Sequence, residues 1–293
     1  LRWYLLPVQP LTNPQAQQAM ADGVPLWMIW RWCIASCVLG AILSTAGCSS
    51  APARDPLAPT EAFTESDVPE ARKRATNRLN LAILYFQDGK NSIALDEVKQ
   101  AIAVDPNWFE LYNMRGLIHM QSSEFALADA SFQRALSINP SSSEVKHNYA
   151  VLLCKLKRVP ESIAMFQSAL SNPAYGQASN SLMELGLCYL GAGRKREAET
   201  SFVRSIEVNA GNPSSTYHLA ALLFERGELV RAQLYSRRLN NSERATAESL
   251  WLGIKVERRL DNREAVSQLA DQLRKRFAQS REAAAFDRGA FDE

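Results

Sequence analysis

A chain of 293 residues with 46% hydrophobic and 22% charged side chains has the composition of a globular protein, large enough for one or two domains or a repeat array. Its 33 Lys and Arg stand against 31 Asp and Glu, a net charge of +2. That is too little to neutralise a row of phosphates, which argues against nucleic acid as the main partner.

In chain order, residues 1–27 hold several prolines and Asp22 and read as an upstream or unstructured extension. Met28 to Cys48 reads MIWRWCIASCVLGAILSTAGC. Arg31 supplies a short positive start, and Trp32 to Leu43 is an uncharged, mostly apolar run of the length of a signal core. Such a run is too short for a bilayer span, which needs roughly 20 apolar residues. It closes on Thr45-Ala46-Gly47-Cys48, which resembles the bacterial lipobox, with Thr45 where Leu is usual. Residues 28–47 are therefore expected to be a lipoprotein signal peptide and Cys48 the acylated residue. Ser49, rather than Asp, after that Cys points to the outer membrane, periplasmic face. Cys33 and Cys37 would leave with the signal.

From Cys48 to residue 70 the composition shifts to Ala, Pro, Ser, Thr and acids. With Pro52, Pro56, Pro59 and Pro69 and few large apolar residues, this stretch cannot pack a core and is expected to be a flexible tether.

A 34-residue period begins at Ala75. Ala75–Trp108 and Phe109–Ser142 superimpose when Pro106 and Pro140 are aligned. Both have a small residue near position eight (Ala82, Gly116) and Ala near positions twenty and twenty-seven (Ala94 and Ala128, Ala101 and Ala135). This is the tetratricopeptide pattern: paired helices approach closely where small side chains meet, and residues such as Tyr85, Val98 and Phe132 fill the gaps. Ser143–Ala178, Ser179–Asn212, Pro213–Ala245 and Thr246–Gln279 keep the frame with Ala150, Gly186, Ala220 and Gly253 at the small position. Gly89, Gly193 and Gly227 share one turn position, where positive φ ends the first helix. The expected fold is all-α, a tetratricopeptide-repeat superhelix of about six helix pairs over residues 71–280, followed by a C-terminal tail, 281–293.

Such arrays stack neighbours to complete their core and leave a concave groove lined by the first helix of each pair. The side chains projected there are Leu79, Ile83 and Phe86, then Asn113, Leu117 and Met120, then His147, Val151 and Cys154. Met183, Leu187 and Leu190 continue the line, followed by Tyr217 and Phe224. An apolar groove with Met and aromatics suits capture of a segment of another protein. Packing between neighbouring first helices is the competing role for each of these residues.

Cys154 and Cys188 fall on the first helices of consecutive repeats. In an oxidising compartment they are candidates for a disulfide, provided their Cα atoms lie about 4.4–6.8 Å apart. Two buried thiols are the alternative. The three histidines, His119, His147 and His218, occupy separate repeats. No His-Glu-x-x-His, Gly-x-Ser-x-Gly or phosphate-binding Gly-x-x-x-x-Gly-Lys occurs. Neither an enzyme, a metal site, a cofactor nor a small-molecule substrate is expected.

Beyond the repeat pattern, His147-Asn-Tyr-Ala-Val-Leu-Leu-Cys154, Glu184-Leu-Gly-Leu-Cys188 and above all Glu248-Ser-Leu-Trp-Leu-Gly-Ile-Lys-Val-Glu-Arg258 resemble the type IV pilus biogenesis/stability lipoprotein family, the PilF/PilW type. Leu273-Arg-Lys-Arg-Phe277 and Ser280 also fit, with Ala278 where that family commonly has Pro. The resemblance implies a pilotin-like protein of the outer membrane. Its partner would be the pilus secretin, whose localisation and multimer assembly it supports, or it would stabilise pili. A periplasmic repeat lipoprotein that organises cell-wall or envelope-assembly enzymes is the other reading of the same fold.

Overall fold

A computed structural model describes residues 69–291. The expected signal peptide, the acylated Cys48 and the tether as far as residue 68 lie outside the described residues. Within them the chain is helical throughout. Twelve helices form six antiparallel pairs: α1 (Glu70–Gln87) with α2 (Asn91–Val104), α3 (Phe109–Gln121) with α4 (Phe125–Ile138), and α5 (Ser143–Lys155) with α6 (Val159–Leu170). Next come α7 (Ala178–Gly191) with α8 (Lys195–Val208), α9 (Pro213–Glu225) with α10 (Leu229–Asn240), and α11 (Ala247–Arg259) with α12 (Arg263–Phe277). A short α13 (Arg281–Asp287) follows.

Local chemistry sets these boundaries. Ser142, Asn212 and Asn262 each accept the N–H of the third residue beyond them, at α5, α9 and α12. Thr246 and Ser249 bond reciprocally as a capping box at α11, so the first free N–H groups find acceptors. Within every pair the turn is the same. The expected glycines Gly89, Gly193 and Gly227 have φ of 74°, 75° and 81°, and Ser123, Lys157 and Asp261 take the same role at 62°, 61° and 54°. The next N–H then bonds five residues back in all six copies, from Lys90 to Tyr85 through Asn262 to Glu257. That is the closure a left-handed residue permits.

Packing inside a pair follows size complementarity. Phe132, Phe166 and Phe202 are fully buried and face Gly116, Ala150 and Gly186 respectively, across the pair. A Cβ on Gly116 would stand 2.6 Å from the Phe132 ring, well inside van der Waals contact at about 3.5–4.0 Å. The backbone of each first helix also comes close to that of the first helix of the next pair, whereas among the described residues no second-helix backbone approaches the next one and a long side chain, Arg231 of α10 reaching Glu199 of α8 at 3.4 Å, bridges the gap. Spacing is thus shorter on the first-helix side, which makes that side concave.

Two boundaries differ from the sequence reading. The first helix starts at Glu70, five residues ahead of the repeat frame, because the turns preceding Ala75 continue along the same helix. The expected tail forms a helix: Ser280 accepts the Ala283 N–H at 3.1 Å to start α13. Phe286 and Phe291 then pack on Trp251, with ring centroids 6.4 and 5.3 Å away. This covers the face that a seventh repeat would otherwise occupy, as the end of a stacked array requires.

Candidate functional site

The projected groove residues divide by burial. Ile83, Phe86, Leu117, Met120, Met183, Leu187 and Tyr217 are half-buried on the first helices, as are Leu190 and Phe224. They form an apolar row along the concave side, to which the third repeat contributes the half-buried Cys154.

Leu79, Asn113, His147 and Val151 are corrections. Each is 9% exposed or less and belongs to the seams between elements. Leu79 packs in one cluster with Met114 and Ile118 of the next first helix. Val151 lies in the cluster that holds Phe166, Leu185 and Tyr189. Asn113 accepts from Asn148 Nδ2 at 3.0 Å and donates to Glu144 Oε1 at 3.3 Å. His147 Nδ1 lies 2.7 Å from Ser181 Oγ, 34 residues on, and its ring meets Phe166 edge-on at 5.8 Å. A 34-residue period places successive first helices side by side, so polar residues at the seam satisfy each other and are unavailable to a guest. Buried polar groups must be paired, and here the pairing fixes the register of neighbouring repeats. Burial holds His147 neutral, pushing its pKa down to about 4. Burial lowers that of His218 too, as its ring stacks on Phe202 at 5.5 Å.

At the fourth and fifth repeats the seam is a hydroxyl network that the sequence reading missed. Ser205 Oγ donates to the Ser179 carbonyl at 2.8 Å, and Ser215 Oγ donates to Ser205 Oγ at 2.7 Å. Asn212 Nδ2 joins at Ser179 Oγ, 3.1 Å away. Only the close approach of three helices brings these serines together, and nothing in their spacing announces it.

Cys154 and Cys188 are joined as a disulfide with Cα atoms 5.8 Å apart, linking α5 to α7. Cys188 is buried beside Ser162 Oγ at 3.6 Å, and Cys154 is half-buried at the edge of the concave row.

Among the described residues no group of three or more His, Cys, Asp or Glu is placed to hold a metal. His119 is buried on α3 with Nδ1 2.6 Å from Glu124 Oε2, a local tie across the turn to α4. Among the described residues Glu257, 1% exposed, is the least exposed carboxylate. Burial pushes its pKa up, but Arg237, Gln233 and Asn262 hydrogen-bond it and bring the net shift below the usual value. It clamps α10 to α11 and orients Asn262, whose Oδ1 caps α12.

At the C-terminal end of the concave side a crevice of about 390 Å³ lies between α9 and α11, with α13 as its third wall. Tyr217 and Phe224 of the projected line reach it. Trp251, Lys255 and Arg281, which also line it, were not among the projected site residues. The Ser-Leu-Trp-Leu-Gly-Ile segment stood out in the sequence without a role. In the structure Trp251 carries α13, and Gly253 makes room for Asn240 Nδ2, which a Cβ would meet at 2.4 Å.

A family model for the tetratricopeptide repeat matches residues 79–143, 113–180 and 183–243. The type IV pilus assembly protein PilF of Pseudomonas aeruginosa is 26% identical over 204 residues, covering 70% of this chain and 81% of PilF. The solved structure of Pseudomonas aeruginosa PilF superimposes with a TM-score of 0.67 at 24% identity, over 75% of this chain and 100% of that one. The crystal structure of PilW, a widely conserved type IV pilus biogenesis factor, superimposes with a TM-score of 0.64 at 28% identity, over 72% of this chain and 97% of PilW.

Proposed function

This chain belongs to the tetratricopeptide repeat family, and on that premise we propose that it is a pilotin-like lipoprotein of the outer membrane that binds the secretin of a type IV pilus. The observation that carries the reading is the likeness to PilW, which spans 97% of that protein at 28% identity. The PilF relative, 26% identical over 81% of its length, supports the same reading. In mechanism the chain joins two acts. Cys48, through its acyl chains, commits the complex to a membrane; each buried methylene contributes about 0.8 kcal/mol, so three chains make a permanent anchor. The row of half-buried apolar residues from Ile83 to Phe224 holds a secretin segment while subunits associate. Gathering subunits at one surface raises their effective concentration without new contacts between them.

Deletion of the gene tests the reading: heat-stable secretin multimers and twitching motility should both be lost. Intact pili with altered wall-enzyme activity would refute it and favour an envelope adaptor. Cys48→Ser should leave the array folded but release it from the membrane fraction; unchanged fractionation would remove the anchor from the mechanism. Ile83→Glu or Leu117→Glu should weaken secretin capture with helicity retained, and loss of the helical circular dichroism signal would instead place these residues in the core.

A further inference from the structure

The crevice beside α13 has features that the repeat fold does not require. α9 presents the half-buried Tyr217, Ala221 and Phe224 to it, while Trp251 and Leu252 of α11 and Ala285 of α13, each 7% exposed or less, form its floor, with Lys255 5.7 Å over the Trp251 ring. Its third wall comes from a helix outside the six pairs, held by the stacking of Phe291 on Trp251 and by Arg258 lying 3.9 Å over the Phe291 ring. The volume, about 390 Å³, is near the lower end of the range for sites that enclose a small ligand.

The rim charges cancel. Glu248 and Glu282 are carboxylates, and Lys255 and Arg281 are cations, with Arg281 3.2 Å from Glu282. A strongly charged guest group would therefore meet one like charge for every opposite one. Burial, and then the nearby carboxylates of Glu248 and Glu282, raise the Tyr217 pKa above that of an ordinary phenol. Its hydroxyl, protonated near neutral pH as in any ordinary phenol, is a hydrogen-bond donor there. An apolar wall with the half-buried rings of Tyr217 and Phe224, a neutral donor and a carboxylate acceptor at the rim together match one chemistry. It is an aromatic side chain flanked by peptide groups, whose carbonyl and N–H can meet Tyr217 and Glu248. Aromatic anchors seated in well-packed pockets carry much of the energy of protein interfaces.

We propose that this crevice is the anchor pocket for an aromatic residue of the bound partner segment, and that α13 builds it. The proposal deepens the partner-binding reading above and rests on it for the biological source of the segment. The apolar row fixes where the segment runs. The crevice fixes which residue must arrive at its end.

The test uses N-acetyl-phenylalaninamide at millimolar concentration with the full chain, and N-acetyl-alaninamide as the control. Saturation-transfer NMR should show binding of the phenylalanine compound alone. Amide shifts on the unmodified protein should cluster at Tyr217, Trp251 and Ala285. Ala221→Trp, which fills the crevice from a half-buried position, should weaken binding at least fivefold with the helical circular dichroism signal retained. Equal signals from the two compounds, or shifts confined to other repeats, would overturn the proposal, and both readouts stand even where the variant fails to fold. No pilus component enters this experiment. A negative result thus rejects the pocket and leaves the pilus assignment to its own genetic test, while intact pili after gene deletion would reject that assignment and leave the pocket measurement as found.

Discussion

Gly186→Ala sets two effects of known size against each other. Gly186 lies within α7, where Ala is the better helix former by about 1 kcal/mol. Its new methyl would stand 2.5, 2.8 and 2.9 Å from Cε1, Cδ1 and Cζ of Phe202, a ring with no exposed surface. Restoring contact at about 3.5–4.0 Å requires α7 and α8 to separate by roughly 1 Å. Overpacking of this kind costs typically 1–3 kcal/mol. The net expectation is a loss of up to about 2 kcal/mol. Gly191→Ala on the same helix is the control, since nothing lies within 4 Å of a Cβ there; it should be neutral or stabilising. Urea unfolding of both variants and of Gly186→Ala with Phe202→Leu makes the comparison. The shortened side chain should recover most of the loss, because the repeat then resembles the first pair, where Ala82 and Val98 are both fully buried. If Gly186→Ala stabilises as much as Gly191→Ala, the argument that small residues are selected by helix approach is wrong.

Other outcomes follow from the seams. Replacing Cys154 and Cys188 by Ala opens a loop of sequence separation 34, and the chain-entropy model gives a loss of about 4 kcal/mol. Because stacked repeats unfold by neighbour coupling, the melt should separate into two transitions split between the third and fourth repeats; a single unshifted transition would contradict this. For His147 the folded pKa of about 4 lies below the unfolded value of about 6.5. The unfolded state therefore binds the proton first. Stability should be full above about pH 6.5, fall by about 3 kcal/mol as pH drops to about 4 and level off below that, where this group alone is concerned. His147→Gln should flatten that part of the profile, and an identical profile in the variant would refute the assignment. Trp251→Ala should free α13, seen as rapid hydrogen exchange in residues 281–287 with the first four repeats still protected.

The repeat architecture was legible in the sequence because its cause is periodic. Gly116, Ala150 and Gly186 recur opposite a phenylalanine, and each signals the same close approach wherever it appears. The turn was legible at Gly89, Gly193 and Gly227 and silent at Ser123, Lys157 and Asp261, where an ordinary residue bears the left-handed conformation that the fold imposes. The groove was legible only in part. Position within a first helix places a side chain on the inner side, but it does not say whether the next first helix covers it, and that is what separates Ile83 and Leu117 from Leu79, Asn113, His147 and Val151. α13 was missed because its helix is one short segment with no partner in the period. Its stability comes from Trp251, Phe286 and Phe291, residues up to 40 positions apart.

The claim on which the account turns is that the first-helix side receives the secretin. A photo-reactive amino acid placed at Leu117 on that side, or at Leu127 on α4, which is 53% exposed, tests it in living cells. Crosslinking to the secretin is predicted from position 117 and not from 127. Adducts from 127 alone, or none with the secretin from either position while pili still form, would contradict it.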